Sequence, residues 1–403
     1  MCAMGAVGII AEYNPFHSGH EYHIAETRRR LGADVPVVAV MSGNWVQRGE
    51  CAIADKWLRA RWAVLGGADL VLELPTVFAC APAETFAGSA VALLLATGVV
   101  DQLSFGCEAG SGEALREVAR CLNSREYGET LAALRQTPSR TFAQCRQKAV
   151  ESLLGEERGI LLSKPNCNLA VEYLRRCEEM LTPLAIARAG AGHDAEDTGQ
   201  GHCSASALRR MLRGGSGHTA APFLPYVWQG QPSDMQWGER AVLAKLRTMT
   251  ERAWGELLDS GEKEGLPHRL ARGAEQSGTL EEFYRVVKTK RYTHARIRRL
   301  TLHAFLGLTQ AARDPQYLRV LAFNDRGRAL LAQMRHTARL PVVTKPARVR
   351  AMTAAARESF LQEAVFTDLY GLFFPQVKPG GAEWRNSPCY RREARGEQTC
   401  EDE

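Results

Sequence analysis

Short apolar runs and helical patterns alternate through the first hundred residues. Residues 6–11 (AVGIIA) form an apolar run that Asn14-Pro15 stops, and a helical pattern follows over 19–31. Similar runs recur at 35–41 (VPVVAVM), 69–74 (DLVLEL, closed by Pro75) and 101–105 (DQLSF, ended by Gly106). Between them lie helical patterns at 55–65, with Asp55 placed to cap the first turn, and at 84–96. Strands that are apolar throughout and separated by helices predict a parallel sheet covered on both faces. The expected fold class is α/β, a doubly wound Rossmann-like parallel sheet. Ligands of such a sheet bind beyond the carboxyl ends of its strands.

Further along, the rhythm fades. Residues 113–154 read as charged helix, 166–180 as helix, 184–188 as a fifth strand and 204–212 as a short helix. Residues 189–201 read as a loop rich in Gly and Asp, and GGSGHTAAPFLP at 214–225 as a linker. After Gln231 the pattern is helical almost throughout, with no strand–helix rhythm. The chain is therefore expected to divide into an α/β domain at 1–220, an α-rich domain at 221–374 and a disordered polar tail at 375–403.

Composition narrows the class. In 403 residues, 45% are hydrophobic and 24% charged, the balance of an ordinary soluble protein with a core large enough to need no staples. None of the 11 cysteines stands in a C-x-x-C pair, so no zinc site is expected. The apolar uncharged stretch 85–100 has 16 residues and falls short of a membrane span. No signal-peptide pattern opens the chain, so a cytoplasmic protein with reduced thiols is expected.

The net charge of +6 matters through its distribution. Residues 285–299 (RVVKTKRYTHARIRR) carry Arg285, Lys288, Lys290, Arg291, Arg296, Arg298 and Arg299 with no acidic residue. Tyr292 and His294 are interleaved, as a face that tracks phosphates and stacks bases would have them. A solvated helix face is the plain alternative. Lys345, Arg348 and Arg350 extend the basic character.

The sharpest motif is Asn14-Pro15-Phe16-His17-Ser18-Gly19-His20, which leaves the first strand and opens the first helix. A helix N-terminus offers unpaired N–H groups and partial positive charge to phosphate, and Gly19 admits close approach of a nucleotide. Two imidazoles there, His17 and His20, suit nucleotidyl transfer, in which charge builds on the α-phosphate and the departing pyrophosphate. His23 extends the spacing to H-x-x-H-x-x-H, but three ligands so spaced do not converge on one helix face, so no metal site is expected. A second element, Ser204-Ala205-Ser206-Ala207-Leu208-Arg209, places two hydroxyls and an arginine at a helix start, suited to β- and γ-phosphates. By itself it is equally an N-cap beside a surface arginine. A third, the polar loop 42–50 (SGNWVQRGE), follows the second strand and is placed to meet a small substrate through Asn44 and Arg48.

These stretches resemble a known family, the bacterial tRNA(Met) cytidine acetate ligases. The likeness runs through VGIIAEYNPFHSGHEYH (7–23), SGNWVQRGECAIADKWLRA (42–60), GADLVLELP (67–75), FGCE (105–108), SKPNCNLAVEYL (163–174), ARAGAGHD (187–194), SASALR (204–209), YTHARIRRL (292–300) and LAFNDRGRALL (321–331). It implies a ligase that joins ATP and acetate into acetyl-adenylate and passes the acetyl group to N4 of the wobble cytidine of elongator tRNA(Met). ATP would enter with Mg²⁺ as a substrate, and no tightly bound cofactor is implied. The resemblance assigns catalysis to His17 and His20. It assigns ATP contacts to Val7, Gly8, Ile9, Ile10, Ala11, Glu12, Tyr13, Asn14, Pro15, Phe16, His17, Ser18, Gly19 and His20. Gly106, Asn166 and Arg188 complete the set, beside Ser204, Ser206 and Arg209. Contacts to tRNA would come from Lys288, Lys290, Arg291, Arg296, Arg298 and Arg299.

The chain departs from the family pattern at Ser18, where asparagine is usual, and at His193, where an aromatic is usual. At NCNLAVEY either Asn166 or Asn168 could be the ATP contact. The alternative is a cofactor adenylyltransferase acting on a small phosphorylated metabolite, which would leave the basic C-terminal half unexplained. An aminoacyl-tRNA synthetase fits less well, since no KMSKS-like loop follows the HxGH.

Overall fold

The computed structural model describes residues 5–108, 112–136, 141–177, 180–187, 203–260, 265–309 and 314–392. Ten strands follow in order: β1 (Ala6–Ala11), β2 (Val37–Ser42), β3 (Trp45–Val46), β4 (Glu50–Cys51), β5 (Leu70–Leu74), β6 (Val100–Cys107), β7 (Thr182–Ala187), β8 (Leu318–Asn324), β9 (Val342–Val343) and β10 (Cys389–Arg391). The main sheet runs β10-β8-β5-β2-β1-β6-β7, with β9 beside β8, and β3 and β4 form a separate hairpin.

Every residue of β2 and β5 is buried, because helices cover both faces of the sheet. Side chains alternate between two cores, as the two-residue period of a strand requires. Val38, Val40, Leu70, Leu72 and Leu74 join the core under helices Ala83–Ala96 and Pro165–Cys177. Val37, Ala39, Met41 and Val71 join the core under helices Ser18–Leu31, Lys56–Leu65 and Ala205–Arg213. Asp55 caps its helix by accepting from Leu58 N at 2.9 Å, as its position predicts.

Strand order places the ligand site. From β1 the chain steps outward through β2 to β5, then returns to the other side of β1 for β6 and β7. The direction of winding therefore reverses between β1 and β6, the point where ligands bind in such sheets.

Two expectations from the sequence change. The stretch after 231, expected to be helical almost throughout, also supplies the main sheet: β8 enters it antiparallel to β5, pairing Leu70 with Phe323 and Val71 with Ala322. A short, mostly apolar segment such as LRVLAFN, with Arg319 inside it and Asn324 at its end, has no period that separates strand from buried helix. Asp69 fastens it: Oδ1 accepts from Asn324 Nδ2 at 2.8 Å, while Oδ2 accepts from Val37 N and Arg28 Nη2, each at 2.7 Å. The sheet thus draws on residues from both sides of the expected boundary at 220. Second, the tail expected to be disordered over 375–403 is structured over 375–392, and its remainder lies outside the described residues. Residues 375–392 hold the helical turn Ala382–Arg385 and β10, which pairs in parallel with β8.

The helical part packs around the β3–β4 hairpin. Trp45 and Cys51 lie in one core with Val242, Trp254, Phe283, Ile297, Phe305 and Phe373. Trp45 Nε1 donates to Phe366 O at 3.1 Å. Gly49, at φ +77°, rests against the backbone of Arg298 and Arg299, where any Cβ would collide. Among the described residues, no helix is long and apolar enough to cross a membrane, and the nine described cysteines are free thiols.

Candidate active site

At the switch point the chain turns sharply between β1 and helix Ser18–Leu31. Tyr13 stands at φ +46°, unusual for a non-glycine residue, and the Asn14–Pro15 peptide is cis. His17 is the N-cap and takes part in a reciprocal box. Its Nδ1 accepts from Gly19 N at 3.1 Å, and His20 Nδ1 accepts from His17 N at 3.2 Å. The rings pack with centroids 3.8 Å apart. Because each Nδ1 serves as an acceptor, each neutral ring carries its proton on Nε2, the form that donates to a phosphate oxygen. Tyr13 and Phe16 back the His20 ring at 4.9 and 5.5 Å. A Cβ at Gly19 would lie 2.9 Å from the His17 ring, so only glycine fits between the two histidines.

This turn forms one wall of a cleft of about 260 Å³. The ends of β6 (Phe105, Gly106) and β7 (Ile186, Ala187) form another, and Asn166, Tyr173, Ser204 and Arg209 close it. Of the residues predicted to meet ATP, Ile9, Ile10, Ala11, Glu12, Tyr13, Asn14, His17, Gly19, His20, Gly106, Asn166, Ser204 and Arg209 line the cleft.

Others stand elsewhere. Val7 is in the core, Gly8 is bedded against Leu94, and Phe16 is buried beside Gly66. Pro15 and Ser18 shape the turn without lining the cleft. Ser206 accepts from Arg209 Nη2 at 3.3 Å instead of facing the cleft. Arg188 lies outside the described residues.

Between the two candidate asparagines the placement is clear. Asn166 lines the cleft and donates from Nδ2 to Glu108 Oε1, whereas Asn168 accepts from Arg146 Nη1 at 3.2 Å. The sequence pattern gives Glu108 no role of its own, although the FGCE stretch contains it. Its Oε2 accepts from Cys167 N at 3.0 Å, so the end of β6 holds the first turn of the Asn166 helix. Burial pushes the Glu108 carboxyl up, but hydrogen bonds from Asn166 and Cys167 outweigh it and hold the group below its ordinary value.

The Ser/Arg element is spent differently from expectation. Ser204 caps its helix by accepting from Ala207 N at 3.2 Å. Arg209 Nη1 donates to Asn14 O at 2.8 Å, and Nη2 pairs with Glu50 at 3.4 Å. The arginine therefore ties the HxGH turn to the hairpin and also lines the cleft.

Loop 42–50 divides in two. Asn44 is 2% exposed and stays out of the cleft, with Oδ1 accepting from Lys56 N at 2.9 Å and Nδ2 donating to Thr367 Oγ1 at 3.3 Å. The neighbouring Trp45 explains this, because its burial in the helical core takes Asn44 along. Gln47 and Arg48 do line the cleft, and Gln47 N donates to Glu12 Oε1 at 2.8 Å.

In the basic stretch, Lys288, Lys290 and Arg291 are exposed, as is His294. Tyr292 is buried at 6% and cannot stack on a base. Arg296 donates to Asp259 O at 3.1 Å, Arg299 pairs with Asp259 at 2.9 Å, and Arg298 lies over the Tyr284 ring. Three of the six predicted RNA contacts thus already hold the fold together.

Fold and cleft define a nucleotidyltransferase, and a family model described as HIGH Nucleotidyl Transferase matches residues 4–383. The chain is similar to the tRNA(Met) cytidine acetate ligase of Alkaliphilus metalliredigens, 34% identical over 425 residues that cover 97% of this chain and 100% of the relative. Its similarity to the tRNA(Met) cytidine acetate ligase of Leuconostoc citreum is 39% identity over 364 residues, 85% of this chain and 88% of that one. The crystal structure of apo Thermotoga maritima TmcAL superposes with a TM-score of 0.90 at 33% identity, covering 97% of this chain and 100% of that one. The same protein bound with alpha-thio ATP gives 0.88 at 31% identity, with the same coverage. The chain belongs to the tRNA(Met) cytidine acetate ligase family.

Proposed function

We propose that this chain is an ATP-dependent ligase that activates acetate as acetyl-adenylate, releases pyrophosphate and transfers the acetyl group to N4 of the wobble cytidine of elongator tRNA(Met). The observation that carries the reading is the cleft at the switch point, walled by the interlocked His17 and His20, in a family with an ATP-analogue-bound member. ATP enters with Mg²⁺ as part of the substrate, the metal neutralising phosphate charge. Held in the Nε2–H form, His17 and His20 donate to the phosphate oxygens as charge builds on them, a contribution of roughly 3–4 kcal/mol for one well-placed donor. Arg48, which also lines the cleft, takes the acetate carboxylate. The exposed Lys288, Lys290 and Arg291 meet the tRNA backbone.

The test is acetate-dependent exchange of labelled pyrophosphate into ATP, with and without tRNA, in the wild type and in His20→Ala. Exchange that requires acetate and is lost in the variant supports the reading, and acetylation of a tRNA(Met) transcript completes it. No acetate-dependent exchange overturns it in favour of another acid or of a cofactor adenylyltransferase.

A further inference from the structure

Acyl transfer to an exocyclic amine needs a place for a proton. The lone pair of such an amine is delocalised into the base, and its N–H becomes acidic only as the new C–N bond forms. A proton acceptor held at that point lowers the barrier. His17 and His20 are poor acceptors, because each Nδ1 lone pair already takes a backbone N–H and each Nε2 carries the proton.

Glu12 is the one carboxylate lining the cleft among the described residues. It follows directly on β1 at the switch point and is held from two sides. Arg59 Nη1 donates to its backbone oxygen at 2.6 Å, and Gln47 N donates to Oε1 at 2.8 Å. Among the described residues no hydrogen bond engages Oε2. The loop that grips Oε1 continues to Gly49, which rests on the backbone of Arg298 and Arg299. The loop that holds the carboxylate is therefore packed against the end of the basic stretch.

We propose that Glu12 is the general base of the acyl-transfer step. The inference rests on the ligase reading above. The amine lone pair attacks the acetyl carbonyl carbon, and the bond from that carbon to the phosphate oxygen breaks. The bonding pair leaves on AMP, and the amine proton passes to Glu12 Oε2 and then to solvent. Burial pushes the Glu12 carboxyl up, while the Gln47 N–H and then Arg209 pull it down, Glu50 raises it again and Arg48 lowers it; the balance lies above the ordinary value. Arg59, Tyr173 and Cys80 also face it, the last two as neutral groups. The result is a carboxylate more basic than one in water.

The experiment compares two half-reactions in wild type and Glu12→Gln. One is acetate-dependent pyrophosphate exchange; the other is single-turnover transfer from preformed acetyl-adenylate to a tRNA(Met) transcript across pH. The expected result is transfer slower by about 100-fold or more, exchange slower by less than about tenfold, and loss of the rising limb of the wild-type pH profile. Glu12→Asp is expected to restore part of the transfer rate and the limb. An equal fall in both half-reactions makes Glu12 an ATP-site residue and overturns the proposal. So does a rising limb that survives in Glu12→Gln and disappears in His23→Gln. If Glu12→Gln fails to fold, the remaining profiles decide: a flat wild-type pH profile, or a limb left in place at the wild-type transfer rate in Glu12→Asp, overturns the proposal, and a limb that is weakened or shifted in Glu12→Asp supports it. Absence of acetate-dependent exchange in the wild type is a separate failure, that of the ligase reading.

Discussion

The HxGH turn and the ion cluster around Lys56 organise polar groups in opposite ways. In the turn, the box between His17, Gly19 and His20 closes within three residues. In the cluster, Lys56 Nζ reaches Glu73 at 2.6 Å and Glu383 at 2.5 Å, and Arg319 Nε donates to the other oxygen of Glu383 at 3.0 Å. Glu363 stands alongside and accepts from Thr76 N at 2.6 Å and Thr76 Oγ1 at 2.8 Å. All five ionisable side chains are buried and come from segments more than three hundred residues apart in sequence. The turn can assemble as soon as β1 and its helix meet. The cluster exists only when the whole chain is in place. Chemistry rests on the local device and assembly on the distant one, so the two should fail separately.

The largest effect expected is on stability. Lys56→Met leaves Glu73 buried without its cation and Glu383 with Arg319 alone, a loss of about 3–5 kcal/mol. Denaturant unfolding measures it. A midpoint unchanged from wild type would mean that the cluster does not hold the two halves of the sheet together. His20→Ala should do the reverse. It removes a donor from the cleft and slows acetate-dependent exchange by about 10²–10³-fold, with a melting shift no larger than that of a missing helix cap. A variant that melts much earlier would show that the turn is also a keystone of the fold.

Titration separates the two devices further. Burial, and then the neighbouring Glu73, push Glu363 from 4.5 to about 8. The folded chain keeps a proton that the unfolded chain releases above its own lower value. Stability is therefore greatest at the acid end of that window and falls as pH rises from about 4.5 toward about 8, by up to roughly 1.4 kcal/mol per unit. Glu363→Gln should flatten this slope. A slope that persists would assign it to another group.

The smallest effect falls on RNA binding. Replacing Lys288, Lys290 and Arg291 by Gln should weaken tRNA binding and reduce the slope of log affinity against log salt by about one for each phosphate no longer neutralised. The melting temperature should not move, because these side chains are exposed. Replacing Arg296 or Arg299 should instead lower stability, since both hold Asp259.

Legibility in the sequence follows the same division. β1, β2, β5 and β6, the Asp55 cap and the HxGH turn all rest on neighbours within a few residues, so pattern and motif reveal them. The placement of β8 beside β5, the withdrawal of Asn44 behind Trp45 and the use of Arg296 and Arg299 as struts depend on partners far along the chain. Gln47 reaches Glu12 through a backbone N–H, which no side-chain pattern announces. The resemblance leaves two asparagines as candidates for ATP; of these Asn166 lines the cleft and Asn168 accepts from Arg146, a difference that depends on a partner twenty-two positions away.

The position of β8 also bears on how the protein is made. β5 is complete at Leu74, but its neighbour begins at Leu318, and β10 follows only at Cys389. At roughly 5–20 residues per second, a ribosome takes on the order of ten to fifty seconds to supply the missing neighbour. Throughout that interval the nascent chain presents an apolar strand edge with open backbone groups, the kind of surface that recruits other chains. Translation speed and chaperone cover should therefore govern the yield of this protein more than the final stability of its sheet.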